Sequence, residues 1–193
     1  MGRTKLDLSN GAKSSHGFTF TELIITLAIT VTLASVTAPS FASIISDGRI
    51  KAASVQLSNT LASARNYALA TTTTVIVCQA KDSTMQHCSD AQKRNTRWSN
   101  GLISYADLNA DNTLNANDQI LTTLQTHKSI SMVFNQNGRL RFFADGSARS
   151  AGFYLCSKQS NQERHLKVLH TGRTRTTAKI SDRNRQTCLS KAD

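Results

Sequence analysis

The sequence has 193 residues, a length that suits one ordinary domain with its own hydrophobic core rather than a string of domains. Hydrophobic residues make up 39% of it and aromatic residues 6%, which excludes a core rich in aromatic rings and leaves Leu, Ile, Val and Ala to fill it. The formal net charge of +11 favours a polyanion or an anionic membrane surface as a partner.

The chain opens with a polar, basic segment, residues 1–17, and continues with a mostly apolar stretch over residues 18–41. That stretch is long enough to cross a bilayer as a helix, which needs about 20 residues. Positive charge ahead of such a span predicts a cytoplasmic amino terminus and export of the rest of the chain. A cleavable secretory signal and a plain membrane anchor are the simpler alternatives. No small-x-small cleavage site follows the stretch, however, and a plain anchor leaves Glu22 unexplained, because a lone carboxylate at membrane depth costs about 2.5 kcal/mol or more.

Gly17, Phe18 and Glu22 form the pattern Gly-aromatic-x-x-x-Glu ahead of the aliphatic run, and this pattern resembles the class III signal of type IV pilins and type II secretion pseudopilins. Pro39, the only proline in the sequence, falls where many pilins carry a proline that kinks or melts the first helix. The resemblance implies that a prepilin peptidase cuts after Gly17 and that the new amino group of Phe18 is methylated.

The same resemblance implies a leader over residues 1–17, a transmembrane and filament-core helix over residues 18–41, and a periplasmic globular domain over residues 42–193. The protein is then expected as a single-pass protein of the inner membrane and, after assembly with other pilins, in an extracellular type IV pilus. In the apolar core of a filament, the terminal ammonium of a neighbouring subunit would neutralise Glu22 and set the axial register.

From Ile44 to Ala70, apolar residues recur at intervals of three and four, which predicts one stripe of an amphipathic helix. The stripe consists of Ile50, Ala53, Leu57, Leu61, Ala64 and Ala68. Short runs typical of strands follow, separated by turn-rich pieces. The runs cover residues 71–79, 101–106, 119–124, 129–134, 139–144, 152–157 and 166–170. A helix followed by many short antiparallel strands predicts an α+β fold in which the helix lies on a sheet.

Three blocks of the chain, residues 57–78, 98–121 and 134–156, resemble successive parts of the FimT and type II secretion pseudopilin H branch of that family. They cover most of residues 57–156. This resemblance implies a globular domain of two antiparallel β-sheets packed on the carboxyl-terminal half of the long helix. The basic tail beyond it, about residues 171–193, is rich in Arg and Thr and is expected to be loop for part of its length.

The four cysteines suit two disulfides in an exported protein. We predict the pairs Cys78–Cys88 and Cys156–Cys188, and the other two connectivities stay open. A metal site built from Cys78, His87 and Cys88 is the alternative, but it lacks a CxxC pair and a fourth ligand nearby.

Oxygen-bearing side chains recur at the spacing of a twelve-residue calcium loop between two predicted strands. They are Asp107, Asn109, Asp111, Thr113, Asn115 and Asp118. Three features depart from such loops: Asn112 replaces the glycine of the sharp turn, Asp118 replaces the bidentate Glu, and the flanks are strands. A hairpin turn rich in Asn and Asp explains the same residues, so the turn is the simpler interpretation and calcium the alternative.

The excess positive charge of the predicted mature chain lies in its last third. Residues 18–127 hold 7 basic and 7 acidic residues, whereas residues 128–193 hold 13 basic and 4 acidic residues. A solvated basic surface is one explanation. The stretch "TGRTRTT" favours a phosphate site, because Arg173 and Arg175 lie two residues apart and would point the same way in an extended loop. Guanidinium forks suit phosphate oxygens, and Gly172 would allow a close approach of the backbone.

The stretch Gly172-Arg173-x-Arg175 resembles the DNA-binding tail motif of FimT-type minor pilins from naturally competent bacteria. The resemblance implies a subunit that captures extracellular double-stranded DNA for uptake, through phosphate contacts that depend little on base sequence. Further residues would widen the patch, namely Lys167, Lys179, Arg183 and Arg185, with His165 and His170 as additional donors.

The sequence contains no G-x-S-x-G, no P-loop and no dinucleotide fingerprint, so we expect neither enzymatic activity nor a cofactor. Two functions compete: a minor pilin that binds DNA for natural transformation, and a structural minor pilin or pseudopilin that primes filament assembly. The expected partners are double-stranded DNA, other pilins, the prepilin peptidase and the inner membrane.

Overall fold

The computed structural model describes residues 17–90, 93–160 and 162–190, without the side chains of residues 36–42. The chain divides into two units, Met1–Ser40 and Phe41–Asp193. Of the predicted leader, only Gly17 lies among the described residues. The long helix α1, Phe20–Thr71, is continuous through position 39, so the helix does not melt at Pro39.

In the first unit, the sequence builds a capped helix start. The Thr19 hydroxyl accepts a hydrogen bond from the backbone N–H of Glu22 at 3.2 Å. Glu22 lies in the first turn of α1, where the positive end of the helix dipole stabilises a carboxylate. Among the described residues, no helix combines the length and the apolar character needed to cross a membrane. The predicted span over residues 18–41 includes side chains outside the described part and stays a prediction.

In the described part of the second unit, nine strands and a short helix follow α1. They are β1 Val75–Gln79, β2 Thr96–Arg97, β3 Leu102–Ala106, β4 Gln119–Leu124, β5 Ser131–Phe134, β6 Leu140–Phe142, β7 Ala151–Cys156, β8 Arg164–Val168, β9 Thr174–Thr177 and α2 Asp182–Ser190. The strands form a first sheet in the order β4-β3-β1-β6 and a second in the order β2-β5-β7-β8-β9. All paired strands are antiparallel.

The apolar stripe of α1 is buried in one core with residues of both sheets. Ile50, Leu57 and Leu61 are fully buried, and Ala53 packs against the edge of the core. Strand alternation supplies the facing residues. They include Val75 and Val77 of β1, Met132 and Phe134 of β5, Phe153 and Leu155 of β7, and Leu166 and Val168 of β8. The predicted α+β fold, a helix followed by two antiparallel sheets, is confirmed.

The opposite face of the second sheet is partly covered by α2. Val133, Tyr154 and Cys156 face this side and form a separate apolar cluster with Ile180 and Cys188. Disulfides join Cys156 to Cys188 and Cys78 to Cys88, which are the predicted pairs. The tail is loop for part of its length, as expected, at residues 171–173 and 178–181. Between and after these loops, Thr174–Thr177 forms an edge strand and Asp182–Ser190 a helix.

Candidate nucleic-acid interface

The Gly-Arg-x-Arg stretch closes the hairpin between β8 and β9. The backbone N–H of Gly172 donates to the carbonyl of Leu169 at 2.8 Å, and the N–H of Leu169 donates to the carbonyl of Arg173 at 2.9 Å. Gly172 has a φ of 72°, the left-handed conformation that three-residue hairpin loops place at this position. The motif therefore lies in an ordered hairpin rather than in an open loop.

Gly172 is buried, and other residues of the protein pack closely against its backbone. A Cβ at Gly172 would lie 2.0 Å from the carbonyl oxygen of Gly146 and 2.8 Å from Nε of Arg65. Arg65 of α1 donates hydrogen bonds through Nε to the carbonyl oxygens of Gly146 (3.0 Å) and Thr171 (3.2 Å). The missing side chain of Gly172 is therefore needed for packing of the hairpin on the adjacent turn, and its role at a phosphate stays a prediction.

Arg175 lies on the exposed edge strand β9, directly opposite Lys167 of β8. Directly opposed residues of an antiparallel pair share a face, and like charges in that position repel. Arg173, Arg175 and Lys167 are all exposed, and none of them forms an ion pair with a carboxylate of the described residues. The structure thus places Arg175 directly opposite Lys167, with Arg173 two residues before Arg175 along the chain, and no carboxylate of the described residues forms an ion pair with these three cations.

The predicted residues farther along the tail are more dispersed. Lys179 lies in the connection to α2, and Arg183 lies in the first turn of that helix; both are exposed. Arg185 is partly buried and forms an ion pair with Glu163, with Nε and Oε2 3.5 Å apart. Glu163 also accepts the backbone N–H of Ile180 at 3.1 Å. Arg185 is therefore occupied in holding α2 to the segment before β8, which makes it the least available of the predicted phosphate ligands.

The two predicted histidine donors differ in their surroundings. His165 packs against Tyr154, with ring centroids 4.6 Å apart, and its Nε2 is buried without a hydrogen-bond partner among the described residues. Burial, and then the nearby charge of Lys167, lowers the pKa of His165, so the ring is neutral at pH 7 and adds no positive charge to the patch. His170 is exposed in the hairpin loop, and its Nδ1 lies 3.1 Å from the carbonyl of Ala148.

Three further arginines, which the sequence analysis missed, lie in a groove with His170. Arg94, Arg139, Arg149 and His170 line an open groove of about 440 Å³, which we call the arginine groove. Nη1 of Arg139 donates to the carbonyl of Asn112, and its Nε is buried without a partner in the described part of the chain. The four residues come from four different loops, so no sequence pattern joins them.

The arginine groove continues toward Lys167. A neighbouring groove of about 290 Å³ shares Gln136, Ser150 and Ala151 with it and ends at Lys167 and Leu169. Lys167 in turn faces Arg175 across the β8–β9 pair. Basic side chains therefore follow one path from the edge strand to the arginine groove.

The residues predicted for processing lie in the first unit, and their roles are not tested by the fold. Gly17 precedes α1 with no neighbouring atom within 4 Å of a Cβ placed on it. Phe18 is 82% exposed, and Glu22 is exposed.

Comparison with known proteins points to one family. A family model described as "Type II transport protein GspH" matches residues 53–172. No curated protein matches the chain in sequence. Two crystal structures of the type IV minor pilin FimU of Pseudomonas aeruginosa (strain PAO1), in space groups P65 and P21, each show 17% identity and a TM-score of 0.47. They cover 66% and 69% of this chain, and 91% and 90% of the FimU chains, respectively. Because the family model spans more than half of the sequence, the chain belongs to the family of the type II transport protein GspH.

Proposed function

We propose that this protein is a minor type IV pilin that binds extracellular DNA through its phosphate backbone and promotes DNA uptake in natural transformation. The observation that carries the proposal is the cluster of Arg173, Arg175 and Lys167. These three cations are exposed at the β8–β9 edge of the second sheet, Lys167 lies directly opposite Arg175, and none has a carboxylate partner among the described residues. Their mutual repulsion is relieved when a polyanion supplies the missing charge.

The chemistry of the site favours backbone contacts over reading of bases. Guanidinium groups bind phosphate oxygens in a fork, and an edge strand with alternating Thr and Arg offers hydroxyl and guanidinium donors side by side. The short helix α2 packs on the second sheet through Cys188 and Leu189, which occupies it in holding the fold and disfavours a role as a recognition helix. Affinity of a single subunit is then expected at about 10⁻⁴–10⁻⁶ M, as for nonspecific DNA binding.

The arginine groove could extend the DNA-binding surface, because it adds further basic side chains that can bind phosphates. Arg94 and Arg149 are exposed, and the unpartnered Nε of Arg139 is a donor whose burial is costly until an acceptor reaches it. A strand held by Arg175 and Lys167 would continue past Ser150 into this groove. Lys179 and Arg183 would add weaker contacts on the other side.

The remaining parts of the proposal concern export and assembly. The leader is cleaved after Gly17 by a prepilin peptidase, Phe18 becomes N-methylated, and residues 18–41 anchor the chain in the inner membrane before they enter the filament core. Residues 42–193 form the periplasmic domain, which becomes extracellular in the pilus. Glu22 guides assembly with other pilins. The class III pattern in the sequence and the family of the chain support this part.

A double substitution tests the DNA site. Arg173→Ala with Arg175→Ala should weaken binding of a DNA duplex strongly and reduce the slope of log K against log salt by about 1.8, since each phosphate contact contributes about 0.9. Fluorescence anisotropy with the detergent-solubilised full chain measures both quantities. Lys128→Ala with Lys158→Ala removes the same charge from two exposed lysines outside the patch and is the matched control. Equal titrations for the two double variants would refute the site.

A structural minor pilin or pseudopilin that primes filament assembly is the second candidate. The family match favours it, because the match ends at Gly172 and leaves Arg173 and Arg175 outside. This role needs α1 and a surface for other pilins but no basic edge strand. If the full chain does not bind DNA even in dilute buffer, the structural role in filament assembly is favoured over DNA binding.

A further inference from the structure

The loop between β3 and β4 brings three carboxylates together. Asp107, Asp111 and Asp118 each offer an oxygen, and these oxygens lie within 4.8 Å of one another. Such a cluster carries three negative charges, and no basic side chain of the described residues forms an ion pair with it. Repulsion of this kind is removed by a divalent cation at the centre.

Asp107 of this cluster is buried, and one of its two carboxylate oxygens has no partner among the described residues. Asp107 is 5% exposed. Its Oδ2 accepts the backbone N–H of Asn112 at 3.1 Å, but its Oδ1 is buried without a hydrogen-bond donor among the described residues. Burying a carboxylate oxygen without a donor or a cation is costly, and buried charges are normally paired or coordinate metals. The unpartnered oxygen of Asp107 is therefore better explained by a cation-binding loop than by a polar turn alone.

We infer that this loop is a calcium site whose carboxylate ligands are Asp107, Asp111 and Asp118. The twelve-residue spacing adds further oxygens at the positions that calcium loops use, namely the side chains of Asn109 and Asn115 and the backbone carbonyl of Thr113. Calcium suits this all-oxygen set because it accepts six to eight ligands in flexible geometry. Magnesium demands a tighter octahedron and retains its waters.

The structure accommodates the three departures from the usual calcium loop. Asn112 adopts a φ of 62°, so it takes the left-handed turn that glycine normally provides, and Asn tolerates this conformation better than most residues. Asp118, although shorter than Glu, has its carboxylate in the cluster. The flanking strands hold the ends of the loop in place of helices.

Two ligands must change their hydrogen bonds when calcium binds. Nδ2 of Asn109 and Nδ2 of Asn115 each donate to Oδ2 of Asp111 at 2.7 Å, so both amides must give up these bonds to present their oxygens to the ion. Oδ1 of Asp111 also accepts the N–H and the hydroxyl of Thr113, at 2.7 Å and 2.6 Å. The inference does not depend on DNA binding.

Titration calorimetry of Ca²⁺ into the detergent-solubilised full chain, after removal of metal with EGTA, tests the site. We expect one ion per chain, a Kd of about 10⁻⁶–10⁻³ M, and weaker binding of Mg²⁺. Unfolding should move upward by about 5–10 °C when calcium is at 100 times its Kd. Asp111→Asn should weaken binding at least tenfold, and because Asp111 is exposed, this variant should fold.

Asp82→Asn is the matched control. Asp82 is a partly exposed aspartate that accepts the N–H and the hydroxyl of Thr84, in the same local arrangement as Asp111 and Thr113, but it lies outside the cluster. This variant should bind calcium like the parent protein. The site is overturned if the parent protein binds no calcium at 10 mM. It is equally overturned if Asp111→Asn and Asp82→Asn bind calcium alike.

Discussion

The β8–β9 hairpin and the β3–β4 loop carry opposite charges, and they keep their shapes by different means. The hairpin is held by its backbone hydrogen bonds and by Arg65 from α1, while the exposed side chains of Arg173 and Arg175 form no ion pair among the described residues. The β3–β4 loop is held largely by its own carboxylates: Asp111 and Asp118 accept its backbone N–H groups. The hairpin is therefore preorganised without its ligand, whereas the groups that would bind an ion in the acidic loop are also those that shape it.

Breaking the packing of the hairpin should have the largest effect. Gly172→Ala places a Cβ 2.0 Å from the carbonyl oxygen of Gly146 and forces a left-handed φ on alanine. We expect the free energy of unfolding to fall by about 2–4 kcal/mol and DNA affinity to fall with it. Urea denaturation of the full chain measures the first quantity and a DNA titration the second.

Gly48→Ala is the control for that substitution. Gly48 lies in α1 with open space around a Cβ, so alanine there should stabilise the protein by about 0.5–1 kcal/mol. Calcium binding should survive Gly172→Ala, because the acidic loop is shaped independently. Unchanged stability of the Gly172→Ala variant would contradict the role given to the hairpin.

Loosening the same hairpin from the helix side should have a smaller effect. Arg65→Met keeps most of the aliphatic side chain but removes the hydrogen bonds to Gly146 and Thr171, for an expected loss of about 1–2 kcal/mol. Arg49→Met removes an exposed arginine from the same helix and should change stability by less than about 0.5 kcal/mol. If both variants unfold at the same urea concentration, Arg65 does not brace the hairpin.

The smallest effect concerns pH. The pKa of His165 is lowered in the folded state by burial and then by Lys167, so the unfolded chain binds this proton more readily. Its contribution to stability is complete above the ordinary pKa of about 6.5 and is lost as the pH falls through the lowered folded-state value. His165→Gln should flatten the decline in melting temperature below pH 6.5, whereas His87→Gln, at an exposed histidine, should not. Parallel pH profiles for the parent and His165→Gln would exclude this burial effect.

Most of the scaffold was predictable because its signals are local. The stripe from Ile50 to Ala68 has helical periodicity, and the β-branched runs between turn-forming residues correspond to the seven strands other than β2 and β9. The missed elements lack such signals. Strand β9 has the sequence Thr-Arg-Thr-Thr and pairs only with β8, at the edge of the sheet. Helix α2 is a largely polar segment that a disulfide joins to β7 through Cys188. Neither has an apolar periodicity of its own.

By itself, the sequence determined the helix, most strands, the excess of basic residues in the last third and the family-like pattern at Gly17 and Glu22. Tertiary structure decided which charges meet. It set Lys167 opposite Arg175, paired Arg185 with Glu163, gathered Arg94, Arg139 and Arg149 in one groove, and buried Asp107 with an oxygen unpartnered in the described part of the chain. Periodicity reports which face of its own segment a residue occupies, whereas electrostatic partners are chosen by strand register and packing between segments far apart in the chain.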